Sequence, residues 1–320
     1  MNIKRLVIEN FKSIERIELV EPNPFTVFVG PNGSGKSNIF EALEFVNQRF
    51  KASLDEVLRQ FGGTDKIIPR NGGDISRFYF KAQYDEENVF SEIKFVYNKI
   101  SDRTHIPIVF ELPLETYEKF NENFSRIFIN NTKPTRTYYQ DDSSLNFAAT
   151  NLEPVLKRIL QNKALRDEIF EWLDLFIPGF KAVEVDDRNE LHWFEEHTAN
   201  YFTKDLISDG TYNILALLTA VYQSEEPQFL CIEEPENGLH PEVILSLIGF
   251  FRRQCEEKGH YIWLNTHSET VVKLLTTSEI VLVNKQNGAT ITKQVKGMNT
   301  YSLTTDEAWL TGALGGGLAW

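Results

Sequence analysis

A glycine-rich stretch near the N-terminus constrains the fold of this chain more than any other feature. Residues 30–37 read Gly-Pro-Asn-Gly-Ser-Gly-Lys-Ser and match the phosphate-loop pattern G-x-x-x-x-G-K-[ST] at every position. The apolar segment Phe25 to Val29 predicts a short strand before it, and an amphipathic pattern from about Lys36 to Phe50 predicts a helix after it. This order of strand, loop and helix predicts an α/β fold that binds phosphate at the loop.

The residue types of the loop fit a nucleoside triphosphate with Mg²⁺. Small residues let successive backbone N–H groups converge on phosphate oxygens, and the N-terminus of the helix adds a partial positive charge. We expect Lys36 to reach the β- and γ-phosphates and the hydroxyl of Ser37 to ligate Mg²⁺. The candidate nucleotide-binding residues of the loop are Gly30, Asn32, Gly33, Ser34, Gly35, Lys36, Ser37 and Asn38. A chance glycine turn is the alternative.

Two glutamates follow an apolar segment late in the chain. The segment Phe229 to Ile232 predicts a buried strand, and its carboxyl end is where ligands lie in open α/β sheets. Adjacent side chains on an extended chain point to opposite sides, so Glu233 and Glu234 should have different roles. Glu233 is the candidate for holding Mg²⁺, directly or through water, and Glu234 for polarising the attacking water. A solvated acidic turn is the alternative.

Composition and charge exclude several other classes of protein. The 33 Lys and Arg against 46 Asp and Glu give a net charge of −13, which disfavours a broad nucleic-acid surface and attachment to anionic membranes. Only two cysteines, Cys231 and Cys255, are present, which excludes a disulfide scaffold and a four-cysteine zinc site. Neither an N-terminal signal core nor an apolar run of bilayer length is present, and the sequence therefore indicates a cytoplasmic protein without a membrane partner.

Hydrophobic periodicity divides the chain into four parts. Residues 1–100 predict the N-terminal half of a core with an antiparallel β lobe, and residues 101–200 predict a mainly helical insertion. Strands and helices alternate over residues 201–295, which predicts the second half of a mixed, largely parallel central sheet. For the tail 296–320, with its tryptophans and glycines, both partner docking and a flexible end remain open.

Several segments resemble motifs of ABC-type ATPases and follow the order of those motifs. Ile8 to Ser13, together with the phosphate loop, is similar to the start of RecF-like and SMC-like (structural maintenance of chromosomes) ATPases. Leu206 to Thr211 resembles a divergent signature, Glu233 to Pro241 the Walker B and D-loop segment, and Thr266 to Ser268 the switch histidine. The chain thus resembles the compact AAA-type ATPases of the RecF/SMC/OLD group, many of which act in DNA maintenance or in defence against phage.

The resemblance implies an ABC-type head that dimerises around ATP. Each nucleotide would meet the phosphate loop of one subunit and the signature residues Ser208, Asp209 and Gly210 of the other. His267 would contact the γ-phosphate and the attacking water, which makes Glu234 and His267 the catalytic candidates. The resulting homodimer, or a higher assembly, would gate a partner effector or a DNA-linked process, as in anti-phage defence or DNA repair. DNA would then be contacted through the assembled complex.

The sequence departs from the family pattern in places, and other functions remain open. Glu233 stands where ABC-type ATPases usually have aspartate, and Gln83 is a weak candidate for the glutamine that usually contacts Mg²⁺. Because the chain ends soon after the last core strand, we expect an effector such as a nuclease to be a separate polypeptide. The alternatives are the nucleotide-binding subunit of a transporter and an ATP-sensing assembly protein with negligible turnover.

Overall fold

The computed structural model describes residues 2–69, 75–84, 90–98, 103–105, 123–129 and 143–315. Its strands are β1 (Ile3–Phe11), β2 (Ile14–Val20), β3 (Phe25–Val29), β4 (Ile75–Tyr84), β5 (Phe90–Asn98), β6 (Arg103–His105), β7 (Phe124–Ile127), β8 (Phe180–Val185), β9 (Leu191–Glu195), β10 (Phe229–Glu233), β11 (Tyr261–Thr266), β12 (Ile280–Gln286) and β13 (Ala289–Gln294). Its α-helices are α1 (Lys36–Lys51), α2 (Leu54–Gln60), α3 (Leu152–Leu160), α4 (Lys163–Phe176), α5 (Asp209–Tyr222), α6 (Pro241–Lys258), α7 (Glu269–Lys273) and α8 (Thr305–Leu310).

One mixed sheet of eleven strands crosses the described residues in the order β6-β5-β4-β1-β2-β13-β12-β3-β11-β10-β7. The strands from β12 to β7 run parallel to one another, and those from β6 to β2 are antiparallel. The hairpin β12–β13 joins the two parts, because β13 pairs with β2. This topology confirms the predicted α/β fold class, a mixed central sheet with an antiparallel lobe.

The parallel strands are buried on both faces, which explains their unbroken apolar sequences. On β3, Val27 packs into a cluster that includes α3, α4, α5 and α6, whereas the next residue, Phe28, packs into a second cluster that includes α1 and α2. Leu230 and Cys231 on β10 divide between the two clusters in the same way. Helices on both faces therefore fix β3, β10 and β11 side by side, and the carboxyl ends of these strands share one edge of the sheet.

The middle segment, expected to be mainly helical, also completes the core sheet. Within its described part, α3 and α4 pack against the hydrophobic core, while β8 and β9 form a separate two-stranded sheet. The short strand β7 pairs in parallel with β10, with Arg126 opposite Cys231. Residues 130–142 of this segment lie outside the described residues. The middle segment thus reaches the strand that carries the two predicted functional glutamates.

The described part of the C-terminal tail folds back onto the core. A capping box of Thr304 and Glu307 begins α8, and Thr305 donates a hydrogen bond from its hydroxyl to the carbonyl oxygen of Val272 at 2.7 Å. The side chain of Trp309 joins the larger hydrophobic cluster and is 8% exposed. Residues 316–320, the last part of the tail, lie outside the described residues.

Candidate nucleotide-binding site

The phosphate loop connects the end of β3 to the start of α1 and admits only glycine at two positions. A Cβ atom on Gly30 would lie 2.1 Å from the carbonyl oxygen of Val283, so the loop backbone passes directly against β12. Gly35 has φ of 101°, and a Cβ atom there would lie 2.0 Å from the Oγ1 atom of Thr290. These close approaches, together with the left-handed backbone at Gly35, explain the glycine spacing of the motif.

Three polar side chains form a hydrogen-bond network that holds the loop. Thr290 on β13 donates from its hydroxyl to the carbonyl oxygen of Ser34 at 3.0 Å, and its Oγ1 lies 2.6 Å from Oγ of Ser13. Asn38 donates from its amide to the same Ser13 hydroxyl at 2.6 Å. Asn38, which the motif makes a nucleotide-binding candidate, therefore contacts the β1–β2 turn in this structure. The sequence carries no local signal for Thr290, which the fold brings to the loop from the far end of the chain.

The lysine of the loop is folded over the loop itself. Its ammonium group donates to the backbone carbonyl oxygens of Gly30 at 2.7 Å and Pro31 at 3.1 Å. Burial lowers the pKa of Lys36, and nearby carboxylates, first among them Glu234, oppose that effect. Among the described residues, the ammonium group therefore has backbone oxygens of the loop as its hydrogen-bond acceptors, and a triphosphate could replace them.

Ser37 and Glu233 meet at the start of α1, although 196 positions separate them in the sequence. The hydroxyl of Ser37 donates to Oε2 of Glu233 at 2.7 Å. A hydroxyl and a carboxylate are hard oxygen donors of the kind that Mg²⁺ prefers. The hydroxyl of Ser34 is buried and has no hydrogen-bond partner among the described residues. These donors fit a magnesium triphosphate at the loop.

Arg126 on β7 holds the other oxygen of Glu233, a contact that the motifs did not reveal. Its Nε donates to Oε1 of Glu233 at 2.7 Å, Nη2 donates to the same oxygen, and Nη1 donates to Oε2 of Glu44 at 2.8 Å. Burial alone would lower the pKa of Arg126, but Glu233, Glu44 and Glu41 raise it well above its ordinary value. The sequence signal for this contact is a single arginine in the mostly apolar segment 124–129.

Glu234 faces a different environment from its neighbour. Its backbone is left-handed with φ of 47°, and its N–H donates to the carbonyl oxygen of Asn265 at 3.0 Å. The Oε1 atom lies 3.2 Å from Nδ1 of His267, and Oε2 accepts from the amide of Asn237 at 3.1 Å. The side chain of Glu234 is 25% exposed and that of Glu233 only 6%. The two glutamates therefore separate into a buried one beside Ser37 and a more open one beside the histidine.

A third carboxyl, Glu236, links the segment after β10 to the end of β11, next to His267. Thr266 donates from its hydroxyl to Oε1 of Glu236, and the same hydroxyl accepts from the N–H of Ser268 at 2.9 Å. Burial raises the pKa of Glu236, and its Oε2 has no hydrogen-bond partner among the described residues. Glu236 therefore holds the hydroxyl of Thr266, and that hydroxyl in turn holds the backbone of Ser268 on the other side of His267.

The signature residues lie at the N-terminus of α5 and pack against the D-loop candidate, Asn237 to His240, of the same chain. Ser208 is the N-cap, and its hydroxyl accepts from the N–H of Thr211 at 3.0 Å; Asp209 occupies the first turn. A Cβ atom on Gly210 would lie 2.7 Å from the carbonyl oxygen of Gly238. Gly210 therefore packs against the D-loop candidate, while the phosphate loop and the start of α1 pack against β10, β12, β13 and the β1–β2 turn.

Gln83 lies near the end of β4, at the edge of the antiparallel lobe that is farther from the phosphate loop. It pairs with Arg5 near the start of β1, whereas Ser13, which contacts the loop, follows the end of that strand. Gln83 is also exposed. The structure therefore gives this glutamine no role at the candidate site.

Comparison with known proteins identifies the family of the chain. Residues 25–273 match the family model described as "AAA domain, putative AbiEii toxin, Type IV TA system". The chain belongs to this family. This AAA-family protein is 20% identical over 324 residues to an ATP/GTP phosphatase of Helicobacter pylori. The aligned region covers 85% of this chain and 87% of that relative. It is 48% identical over 93 residues to the chromosome partition protein Smc of Methanocaldococcus jannaschii, which covers 28% of this chain.

The similarity to solved structures shows the fold. An SMC head domain from Thermotoga maritima superposes with a TM-score of 0.56 and 15% identity, covering 92% of this chain and all of that one. The chain spans only 8% of the length of the Methanocaldococcus Smc protein. The predicted membership of a compact ABC/SMC-like ATPase group is confirmed. No helix in the described ranges combines the length and the apolar character that a bilayer crossing requires.

Proposed function

We propose that this AAA-family ATPase binds Mg-ATP at the phosphate loop and hydrolyses it with Glu234 as the group that activates water. The observation that carries the proposal is the 2.7 Å contact between Ser37 and Glu233, which brings the loop and the acidic strand end together. Glu234 follows Glu233 directly in the chain, and its carboxylate lies 3.2 Å from Nδ1 of His267. A phosphate site, an oxygen donor pair and a carboxylate–histidine pair together make up the parts that phosphoryl transfer to water requires.

Each side chain has a defined task in this proposal. Lys36 leaves the carbonyl oxygens of the loop and binds the β- and γ-phosphates instead. Ser37 and Glu233 would hold Mg²⁺, which when bound neutralises charge on the phosphate oxygens. Glu234 accepts a hydrogen bond from the attacking water and orients it, and His267 donates to the γ-phosphate. The amide of Asn237 keeps the Glu234 carboxylate in place through its 3.1 Å hydrogen bond.

The proposal includes a head-to-tail homodimer, or a higher assembly, that forms around ATP. Support comes from the signature turn, where Ser208 and Asp209 are exposed at the N-terminus of α5 and Gly210 packs against Gly238. Helix N-termini bind anions, so this turn suits the γ-phosphate held by a second subunit. ATP contacts both subunits, whereas ADP lacks the γ-phosphate and contacts fewer groups. ATP therefore favours the closed dimer, and hydrolysis favours its opening.

We further propose that this cycle acts on a separate effector protein, such as a nuclease, or on DNA through the assembled complex. One solved neighbour, with a TM-score of 0.58 and 14% identity, is a Pyrococcus furiosus Smc head bound to the C-terminal domain of ScpA. That complex shows that a head of this fold can carry a protein partner. Defence against phage and DNA repair are the processes that fit such an arrangement.

Mixing two inactive variants tests both the hydrolysis and the dimer. Lys36→Ala disables the phosphate loop, and Ser208→Arg places a long side chain at the exposed signature turn. In a head-to-tail pair, one of the two mixed sites combines an intact loop with an intact signature. We therefore expect each variant alone to be inactive and their mixture to recover a measurable share of phosphate release. A mixture as inactive as its components would contradict the shared site, and full activity of Lys36→Ala would contradict hydrolysis at the loop.

A further inference from the structure

We propose that Arg126 is a positioning residue for Mg²⁺ in this ATPase. It holds one oxygen of Glu233 so that the other faces Ser37, and this pairing is the reason that glutamate replaces aspartate at the end of β10. The inference rests on the proposed function, because it concerns the same Mg-ATP site. It assigns a role to the middle segment, to which no motif in the sequence gave one.

The two oxygens of Glu233 have different partners. Oε1 accepts from Nε of Arg126 at 2.7 Å and from Nη2 of the same guanidinium, while Oε2 accepts from Ser37 at 2.7 Å. The terminal torsion of a glutamate is broad and has two equivalent orientations. A guanidinium that holds Oε1 with two donors selects one of them, and the remaining oxygen is then directed at Ser37 before any metal arrives.

Arg126 is itself held rigidly. Its Nη1 donates to Glu44 at 2.8 Å and lies 3.6 Å from Glu41, and both glutamates belong to α1, the helix that follows the loop. The guanidinium also lies over the ring of Phe147, 4.6 Å from its centroid, and the arginine side chain is 5% exposed. A planar group with fixed donors on both sides transmits position better than a flexible point charge. Arg126 therefore connects β7, β10 and α1 at the point where the metal would bind.

The length of Glu233 fits this double contact. Arg126 stands on the neighbouring strand opposite Cys231, two positions before Glu233, and the carboxylate of Glu233 contacts both the guanidinium and Ser37. An aspartate is one methylene shorter, and we expect it to keep one of the two contacts and lose the other. The departure from the usual aspartate thus has a structural reason on β7.

The experiment measures how much Mg²⁺ is needed for tight binding of a fluorescent ATP analogue, with binding in EDTA measured separately. Arg126→Lys keeps the positive charge but removes the guanidinium and its paired N–H donors. Substitutions behind a metal ligand typically cost about tenfold to a hundredfold in metal affinity. We therefore expect the Mg²⁺ midpoint of Arg126→Lys to rise about tenfold, with nucleotide affinity in EDTA unchanged. Adding the same change to Glu233→Gln should produce no further rise, because the positioned oxygen is already altered.

A matched control separates positioning from general stability. Arg252 forms a comparable pair with Glu279, with Nε and Nη2 donating at 2.6 and 2.9 Å, and contacts Phe25 at the opposite end of β3 from the loop. Arg252→Lys should therefore leave the Mg²⁺ midpoint unchanged. If Arg126→Lys does not fold, Glu44→Gln loosens Arg126 without touching Glu233 and should shift the midpoint in the same direction by a smaller factor.

The outcomes distinguish the inference from the function it rests on. If wild-type protein and Glu233→Gln show the expected Mg²⁺ dependence but Arg126→Lys matches the wild type, Arg126 does not position the metal. Equal losses in EDTA and in Mg²⁺ would show that Arg126 only supports the fold of the loop, which also overturns the inference. If the wild type binds ATP with no Mg²⁺ dependence at all, the proposed Mg-ATP site and this inference both fall.

Discussion

Substitution of Gly35 by alanine tests the packing of the phosphate loop against the C-terminal hairpin. In the structure Gly35 has φ of 101°, and a Cβ atom would lie 2.0 Å from Oγ1 of Thr290 and 2.9 Å from Oγ of Ser13. Gly33 is a natural control, because its φ of 78° is also left-handed but nothing lies within 4 Å of a Cβ atom there. The two substitutions share a backbone cost, and only the first adds a collision.

The expected magnitudes follow from these two contributions. An alanine in the left-handed region costs about 1–2 kcal/mol, which applies to Gly33→Ala and Gly35→Ala alike. Forcing an extra carbon into a filled site costs about 1–3 kcal/mol more, which applies to Gly35→Ala alone. Gly35→Ala should therefore lower the free energy of unfolding by about 2–5 kcal/mol, against about 1–2 kcal/mol for Gly33→Ala.

Urea unfolding of the nucleotide-free protein measures both values. A second background, Thr290→Ala, removes the Oγ1 atom that Gly35→Ala would meet, so part of the cost should disappear when the two changes are combined. We expect a coupling energy of about 1–2 kcal/mol in this double-mutant cycle. Equal losses for Gly33→Ala and Gly35→Ala, or a coupling energy near zero, would refute the close approach of β13 to the loop.

Three further expectations concern groups outside the loop. Burial lowers the pKa of His260 to about 4. Between pH 6.5 and 4 this histidine is therefore protonated in the unfolded chain but neutral in the folded chain. Stability should fall by about 3 kcal/mol over that range, and urea unfolding of His260→Asn should show a smaller fall. Burial raises the pKa of Glu236, so the free energy of unfolding should decrease as pH rises above the ordinary glutamate range. Glu236→Gln should reduce this pH dependence, whereas Glu256→Gln, at an exposed position, should leave it as in the wild type. The same pH dependence in Glu236→Gln as in the wild type would contradict this. Trp309→Ala should lower the free energy of unfolding by about 3–5 kcal/mol in urea unfolding, because the side chain is buried. Almost no loss would show that the tail does not pack in the core.

The parts of the fold that sequence reasoning could predict are those with local signals. The strand before the loop, the helix after it and the strand that ends at Glu233 each depend on a short run of apolar residues. Glu233 and Glu234 lie in different surroundings, as predicted, but Glu234 follows the end of β10 with a left-handed backbone, so the turn after the strand separates them rather than the alternation of an extended chain. These signals suffice for an α/β sheet with a phosphate site at its carboxyl edge.

The residues that sequence reasoning missed reach the site through distant strand pairing. Arg126 acts on Glu233 across 107 positions, and β7 is only four residues long, too short for a periodic pattern. Thr290 contacts the carbonyl oxygen of Ser34 across 256 positions, because β13, the second strand of the C-terminal hairpin, pairs with β2 from the start of the chain. Neither register is encoded locally, and the contacts therefore became visible only in the assembled sheet.

The C-terminal tail shows a different limitation. Its glycines left both a flexible end and a docking peptide open, although Thr304 and Glu307 form a capping box whose spacing is visible in the sequence. That signal indicates where α8 begins but not where it packs. Burial of Trp309 depends on the position of α7, which the cap does not specify.

The most direct test of the central claim is a single-turnover measurement of ATP that is already bound. Protein is mixed in excess with radiolabelled Mg-ATP, and the release of phosphate is followed for the wild type and for Glu234→Gln, with nucleotide affinity measured in parallel. Glu234 activates the water in this account, so Glu234→Gln should bind ATP as tightly as the wild type and hydrolyse it about 10²–10⁴ times more slowly. Hydrolysis at the wild-type rate by Glu234→Gln would contradict the assignment.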